Sequence, residues 1–238
     1  MIPQVAGAVN FRDIGGLRAG SARTRSGVLF RSGSLARLEP EGVEAMRAMG
    51  VRCIIDLRAD DEVAQSPSRV AALDAQTTRV PLFLGSVASF FAEDRSLDDL
   101  YAGLVDESAD GIVQVVRGIV NDQPVLVHCT VGKDRTGVCI AVTLAAAGVD
   151  TEAIVADYAR TESQLSPRRN RAVVAHLRSL HPEAVHLEDL ATRSPARVMT
   201  TLLARLGERH GTAADYLRAH GLRDDELVEL RRVLTTDQ

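Results

Sequence analysis

The chain has 238 residues, 45% of them hydrophobic and 25% charged, with a formal net charge of −4. That length suits one core, or one core with an elaborated extension, and the acidic balance gives no basic footprint for nucleic acid. Met1-Ile2-Pro3-Gln4 opens no charged-then-apolar leader, and the longest apolar run, residues 138–149, is broken by Thr143 and Gly148 and is too short to span a bilayer. The expectation is a soluble protein without a transmembrane segment, cytoplasmic or exported without a signal peptide.

In chain order, residues 10–17 join an alternating run to Gly15-Gly16, which predicts a strand and a tight turn. Residues 28–33 predict a second strand ending in a polar corner. Pro40 opens a helix over residues 41–49, with Val43, Met46 and Met49 at helical spacing and Gly50 as its stop. Residues 51–57 form a continuous apolar run ending in Asp56-Leu57-Arg58, the pattern of a parallel strand covered on both faces. A helix within residues 60–73, started or interrupted near Pro67, and a short strand at 77–82 follow. Residues 83–108, with Phe90 and Phe91 side by side, read either as a helix packed on the core or as a mobile lid over a site. A helix at 110–121 leads through Gln123-Pro124 into an apolar strand at 125–128, and residues 136–147 form an apolar helix that Gly148 ends. Beyond it the pattern is helical throughout: 151–161 capped by Thr151, 167–180, 196–207, 213–220 capped by Thr212, and a last helix from Asp224 or Asp225 to Leu234. Alternating strands and helices followed by helices alone predict an α/β fold, a central mainly parallel sheet flanked by helices with a helical lid or extension. The chain reads as a single domain over 1–238, with a lid segment at 83–108 and a helical part at 151–235.

Of three cysteines, Cys53 lies in an apolar strand and Cys139 in an apolar helix, where both read as packed small hydrophobes. Cys129 is different. It sits in His128-Cys129-Thr130-Val131-Gly132-Lys133-Asp134-Arg135-Thr136-Gly137, between a buried strand and the first turn of a buried helix. Backbone N–H groups in such a loop point inward at the positive end of the helix dipole and cradle a phosphate-like dianion. Residues Thr130, Val131, Gly132, Lys133, Asp134 and Arg135 would line that cradle. In that position Lys133 and Arg135, with His128 beside them, would favour the thiolate. Arg135 would return across the loop to hold two phosphoryl oxygens in a bidentate fork, Gly132 would allow the sharp turn, and the Thr136 hydroxyl would donate to the sulfur. Lys133 is the only lysine among 28 Lys and Arg residues, a compact point charge that Arg does not mimic. These parts suit in-line attack by Cys129, a phosphocysteine intermediate and its hydrolysis, with no metal and no cofactor, because the loop itself neutralises charge.

The string His128-Cys129-x5-Arg135-Thr136, with Asn10-Phe11-Arg12-Asp13-Ile14-Gly15-Gly16 upstream and Ile55-Asp56-Leu57-Arg58 between, resembles the protein tyrosine phosphatase superfamily. Within it, the chain resembles the bacterial tyrosine and lipid phosphatase branch of the mycobacterial type, from about Asn10 to the last helix, including a Tyr-Leu-Arg-x-x-Gly-Leu type segment from Tyr216 to Leu222. The resemblance implies a phosphomonoester phosphatase acting on phosphotyrosine proteins, including dual specificity, and/or on phosphoinositides, with transient contact to a membrane surface. Many relatives take their general acid from an Asp beside a Trp on a separate loop, but this chain has no Trp. The resemblance instead implies Asp134, with Asp56, Asp94, Asp98 and Asp99 as rivals. Lys133 adds positive charge that suits multiply phosphorylated inositol rings. Arg12, Asp13, Asp56 and Arg58 read as supports of the loop from neighbouring strand ends. Arg168, Arg169 and Arg171 read either as a solvated helix start or as a patch that attracts a phosphoinositide headgroup or phosphopeptide. Tyr158 reads as core, and the five histidines beyond His128 have no ligand-like spacing. Two other readings share the loop: a non-catalytic phosphate-binding module, which would not need a nucleophile, and a sulfurtransferase or arsenate reductase, which the Lys-Asp-Arg-Thr-Gly continuation does not suggest.

Overall fold

The computed structural model describes residues 5–82 and 94–236. Its centre is a five-stranded sheet of β1 (Arg12–Asp13), β4 (Leu29–Ser32), β7 (Val125–His128), β5 (Cys53–Asp56) and β6 (Gln76–Arg79), in that spatial order. The edge strand β1 runs antiparallel to β4, and the other three pairings are parallel. Two further short strands, β2 (Arg18–Ala19) and β3 (Ala22–Arg23), form a separate antiparallel ribbon.

The apolar runs of β4, β5 and β7 are buried along their whole length, and the pleat divides them between two cores. Leu29, Cys53, Ile55, Val125 and Val127 face the larger core, while Phe30, Ile54 and Leu126 face the smaller one with Met46 of α1 (Pro40–Ala48). The register aligns Ser32, His128 and Asp56 at the carboxyl ends of three adjacent parallel strands. Ligand sites of open α/β sheets lie in this position.

After α2 (Asp60–Gln65), the larger core is covered by α3 (Leu97–Glu107), α4 (Ala109–Asn121) and α5 (Asp134–Ala146). Buried nearly all round, α5 is the central helix of its layer. The helical half continues with α6 (Thr151–Gln164), α7 (Pro167–Leu180), α8 (Leu187–Thr192), α9 (Ala196–His210), α10 (Ala213–Ala219) and α11 (Asp224–Leu234). No helix among the described residues is long and apolar enough to cross a membrane.

Several boundaries differ from the sequence expectation for physical reasons. Helix α5 starts at Asp134, two residues before Thr136, so Asp134 and Arg135 stand on its first turn. Helix α2 ends at Gln65, ahead of Pro67, whose ring restricts the residue before it. The N-cap of α6 is Asp150 rather than Thr151, and its carboxylate accepts the Gly20 N–H at 2.9 Å. Gly207 does not stop α9, which runs on to Gly211 at φ +88°. The short α8 was not expected. Of the segment read as helix or lid, residues 97–107 are α3, with Leu97, Leu100, Tyr101, Leu104 and Val105 buried in the core; residues 83–93, including Phe90 and Phe91, lie outside the described residues.

Candidate active site

Strand β7 delivers Cys129 from the sheet to the amino terminus of α5, and the loop between them turns sharply at Gly132. Gly132 adopts φ +72°, and a Cβ there would stand 2.3 Å from the Ser32 carbonyl oxygen, so only glycine fits. Its N–H donates to Cys129 Sγ at 3.3 Å, which aims the sulfur into the loop. Cys129 is 3% exposed. The Thr136 hydroxyl is buried without a hydrogen-bond partner among the described residues, so the expected bond to the sulfur is not made. His128 is fully buried, with Nδ1 3.4 Å from the Cys129 carbonyl oxygen and Nε2 3.7 Å from Asp56 Oδ2. Burial brings its pKa down to about 4, against the pull of Asp56, so the ring is neutral near pH 7.

The outer wall of the loop is held by the Asn-Phe-Arg-Asp segment. Asn10, at φ +59°, donates from Nδ2 to the carbonyls of Gly132 at 2.9 Å and Val131 at 3.3 Å. Arg31 NH2 donates to the same Gly132 oxygen at 2.8 Å. Arg31 and Arg12 both pair at 2.7 Å with Asp157 of α6, all three side chains being buried. Burial alone pushes the Asp157 carboxyl up, but Arg31 and Arg12 outweigh it and keep it below the usual range; burial and the nearby Arg31 bring Arg12 down to about 10. Arg12 therefore supports the loop through Asn10 and Asp157. Asp13 does not: it accepts the N–H groups of Gly15 and Gly27 at 2.8 Å each and braces the turns beyond β1. Asp56 and Arg58 pair at 2.7 Å, and Arg58 goes on to Ser66 O and Ser68 Oγ, fixing the end of β5 to the following turn.

Arg135 does not stand free at the rim. Its guanidinium lies bidentate on Glu62 of α2, at 2.5 and 2.8 Å, and NH2 also reaches Thr130 Oγ1 at 3.1 Å. Burial opposes the Glu62 charge, but the bonds from Arg135 and Thr130 outweigh it and bring its pKa to about 2. For Arg135 burial lowers the pKa, and the Glu62 bond and the charge of Cys129 more than reverse this. Nothing in the sequence singled out Glu62, whose spacing from the loop is fixed only by the fold.

Lys133 also departs from expectation. It is 1% exposed, and Nζ contacts Asp134 Oδ1 at 2.9 Å, the Arg193 carbonyl at 2.9 Å and the Asp189 carbonyl at 3.4 Å. Its cation is bound into the protein rather than presented to solvent. Asp134 Oδ1 also accepts from the Tyr101 hydroxyl at 2.8 Å, which in turn lies 2.8 Å from the Tyr158 hydroxyl. Tyr158 is core, as expected, yet part of this chain of hydroxyls. The rival carboxylates are engaged elsewhere: Asp56 with Arg58, Asp94 with the His186 N–H, Asp98 with Arg197 and Asp99 with Ser96.

Arg168 and Arg169, together with Arg37, line a cavity of about 580 Å³ whose wall also includes Val9, Phe11 and Val173 and no carboxylate. Arg171 is not part of it. Cys53 and Cys139 are buried and free, as expected for packed thiols. No group of three or more His, Cys, Asp or Glu side chains among the described residues converges as metal ligands would.

A model of the tyrosine phosphatase family matches residues 3–236. The chain belongs to the tyrosine phosphatase family. It is a hydrolase of the cysteine-dependent type, and its substrates are phosphorylated. It is 28% identical over 275 aligned residues to the triple specificity protein phosphatase PtpB of Mycobacterium tuberculosis, covering 98% of this chain and 99% of the relative. It is 32% identical to a tyrosine-protein phosphatase of Nostoc commune, over 84% of this chain and 72% of the relative. Among solved structures, TpbA of P. aeruginosa aligns with a TM-score of 0.38 at 20% identity, over 66% of this chain and 83% of that one.

Proposed function

We propose that Cys129 is the nucleophile of a phosphotyrosine phosphatase, with Arg135 as its phosphate-binding cation and Asp134 as its acid and base. The observation that carries this reading is the meeting of three groups on one loop: a sulfur aimed inward by Gly132, a guanidinium fixed by Glu62 and a carboxylate on the first turn of α5. The Cys129 sulfur attacks phosphorus in line, the bond to the leaving oxygen breaks, and Asp134 supplies that oxygen with a proton. Backbone N–H groups of the loop, of which that of Gly132 is turned to the sulfur, and Arg135 hold the equatorial oxygens as charge develops. Water then attacks the phosphocysteine, Asp134 takes its proton, and the sulfur–phosphorus bond breaks. Thr136 can donate to the departing sulfur from its unpartnered hydroxyl. The support for tyrosine phosphate is the naming of the relatives.

One observation favours phosphoinositides as a second substrate class. Three arginines without a carboxylate converge on the cavity beside Asn10, in a chain of net charge −4, and Asn10 touches the loop. Lys133, bound inward, gives this reading no support. Comparing kcat/KM for a phosphotyrosine peptide and a singly phosphorylated phosphoinositide in the Arg168→Glu/Arg169→Glu variant tests it. A loss of about tenfold or more on the lipid alone, ~1.4 kcal/mol, supports the second class, and equal retention of both activities removes it.

A further inference from the structure

We infer that Tyr101 and Lys133 form a two-point clamp on Asp134 that determines which of its two oxygens carries the catalytic proton. The inference rests on Asp134 as the acid. Both donors converge on one atom: the Tyr101 hydroxyl lies 2.8 Å and Lys133 Nζ 2.9 Å from Asp134 Oδ1. Oδ2 makes no hydrogen bond among the described residues, and the Asp134 side chain keeps 20% exposure while Lys133 keeps 1%.

The proton inventory gives this arrangement a direction. A tyrosine hydroxyl has one proton; given to Asp134, it leaves the Tyr101 oxygen to accept from Tyr158, so the chain runs Tyr158 to Tyr101 to Asp134. An ammonium has three protons, and Lys133 has three acceptors, Asp134 Oδ1 and the carbonyls of Arg193 and Asp189. No Lys133 proton is left for a substrate phosphate. Oδ1 accepts from both donors whether the carboxyl is ionised or neutral, so the proton that comes and goes resides on Oδ2. The same two bonds hold the carboxyl against rotation. Because two of the three Lys133 acceptors belong to α8 and the residue that caps it, α8 fixes the acid from behind.

Tyr101 is therefore a positioning residue, and its effect must appear only where a leaving group needs a proton. The test compares kcat/KM on phenyl phosphate, whose leaving oxygen is basic, and p-nitrophenyl phosphate, whose leaving oxygen is not, in Tyr101→Phe, Asp134→Asn and the double variant. Asp134→Asn loses about 100-fold on phenyl phosphate and far less on p-nitrophenyl phosphate, the scale of one general acid. Tyr101→Phe loses about tenfold on phenyl phosphate with KM unchanged, and adds no further loss in the Asn background. Should Tyr101→Phe not fold, Tyr158→Phe, which spares both rings and the Tyr101 hydroxyl, gives the same selectivity at smaller size. Equal slowing of both substrates, or an undiminished Tyr101 effect in the double variant, overturns the clamp while leaving Asp134 as the acid. Absence of leaving-group selectivity in Asp134→Asn overturns the acid assignment and the clamp with it.

Discussion

Glu62 shows how a single residue fixes the guanidinium of the proposed anion site. Its carboxylate occupies both terminal nitrogens of Arg135 and faces the Thr130 hydroxyl, all at the mouth of the Cys129 loop. A buried guanidinium without a partner is expensive, and Glu62 supplies a counter-charge that also fixes the plane of the fork. Removing that charge while keeping the shape separates the two roles. In Glu62→Gln, kcat/KM for p-nitrophenyl phosphate falls about tenfold, ~1.4 kcal/mol, because Arg135 loses its orientation. Phosphate or vanadate then raises the melting temperature more than in the parent protein, since the oxyanion supplies the missing charge. A smaller thermal response in the variant would contradict the role given to Glu62. The sequence made Cys129 and Arg135 legible because they share one loop, with a fixed spacing. Glu62 was illegible because it lies 73 positions from Arg135, in the acidic run Asp60-Asp61-Glu62 that reads as an ordinary helix start. Lys133 was legible as unusual, but its direction was not: burial against the Asp189 and Arg193 carbonyls depends on α8, which has no clear pattern of its own.

At the level of elements, α6 does more than cover α5. Asp157 ties it to β1 through Arg12 and to β4 through Arg31, and Arg31 continues to the Gly132 carbonyl. The triad holds two cations and one anion with little solvent, so it is stable only when complete. Asp157→Asn leaves both guanidinium groups without a counter-charge. The expected destabilisation is about 3–5 kcal/mol in urea unfolding, with activity lost before global unfolding as Gly132 loses its brace. A loss under about 1 kcal/mol, the scale of an exposed pair, would show that the triad is not structural. The helix itself was readable from its spacing; the identity of its partners was not, because a carboxylate beside Tyr158 looks the same whether it faces solvent or two arginines. Helix α3 gives a similar case. Its apolar spacing suited a packed helix or a lid equally and did not fix what its side chains touch; Tyr101 is buried with its hydroxyl on Asp134.

Over the whole molecule, three parallel strands end side by side at Ser32, His128 and Asp56, and the helical layer presents the amino terminus of α5 to them. Continuous apolar runs made that sheet readable, and the helical half followed from its caps and prolines. Strand order and the convergence of Asn10, Arg31, Glu62 and Tyr101 on one loop depend on long-range pairing that no local pattern encodes. The proposed chemistry requires a covalent bond between Cys129 and phosphorus. Rapid quenching of the enzyme during turnover of p-nitrophenyl phosphate, followed by mass analysis of the peptide that contains Cys129, reads it directly. The predicted result is a phosphoryl group on Cys129, absent in Cys129→Ala together with turnover. Steady turnover by Cys129→Ala, or a phosphoryl group on any other residue, would contradict it.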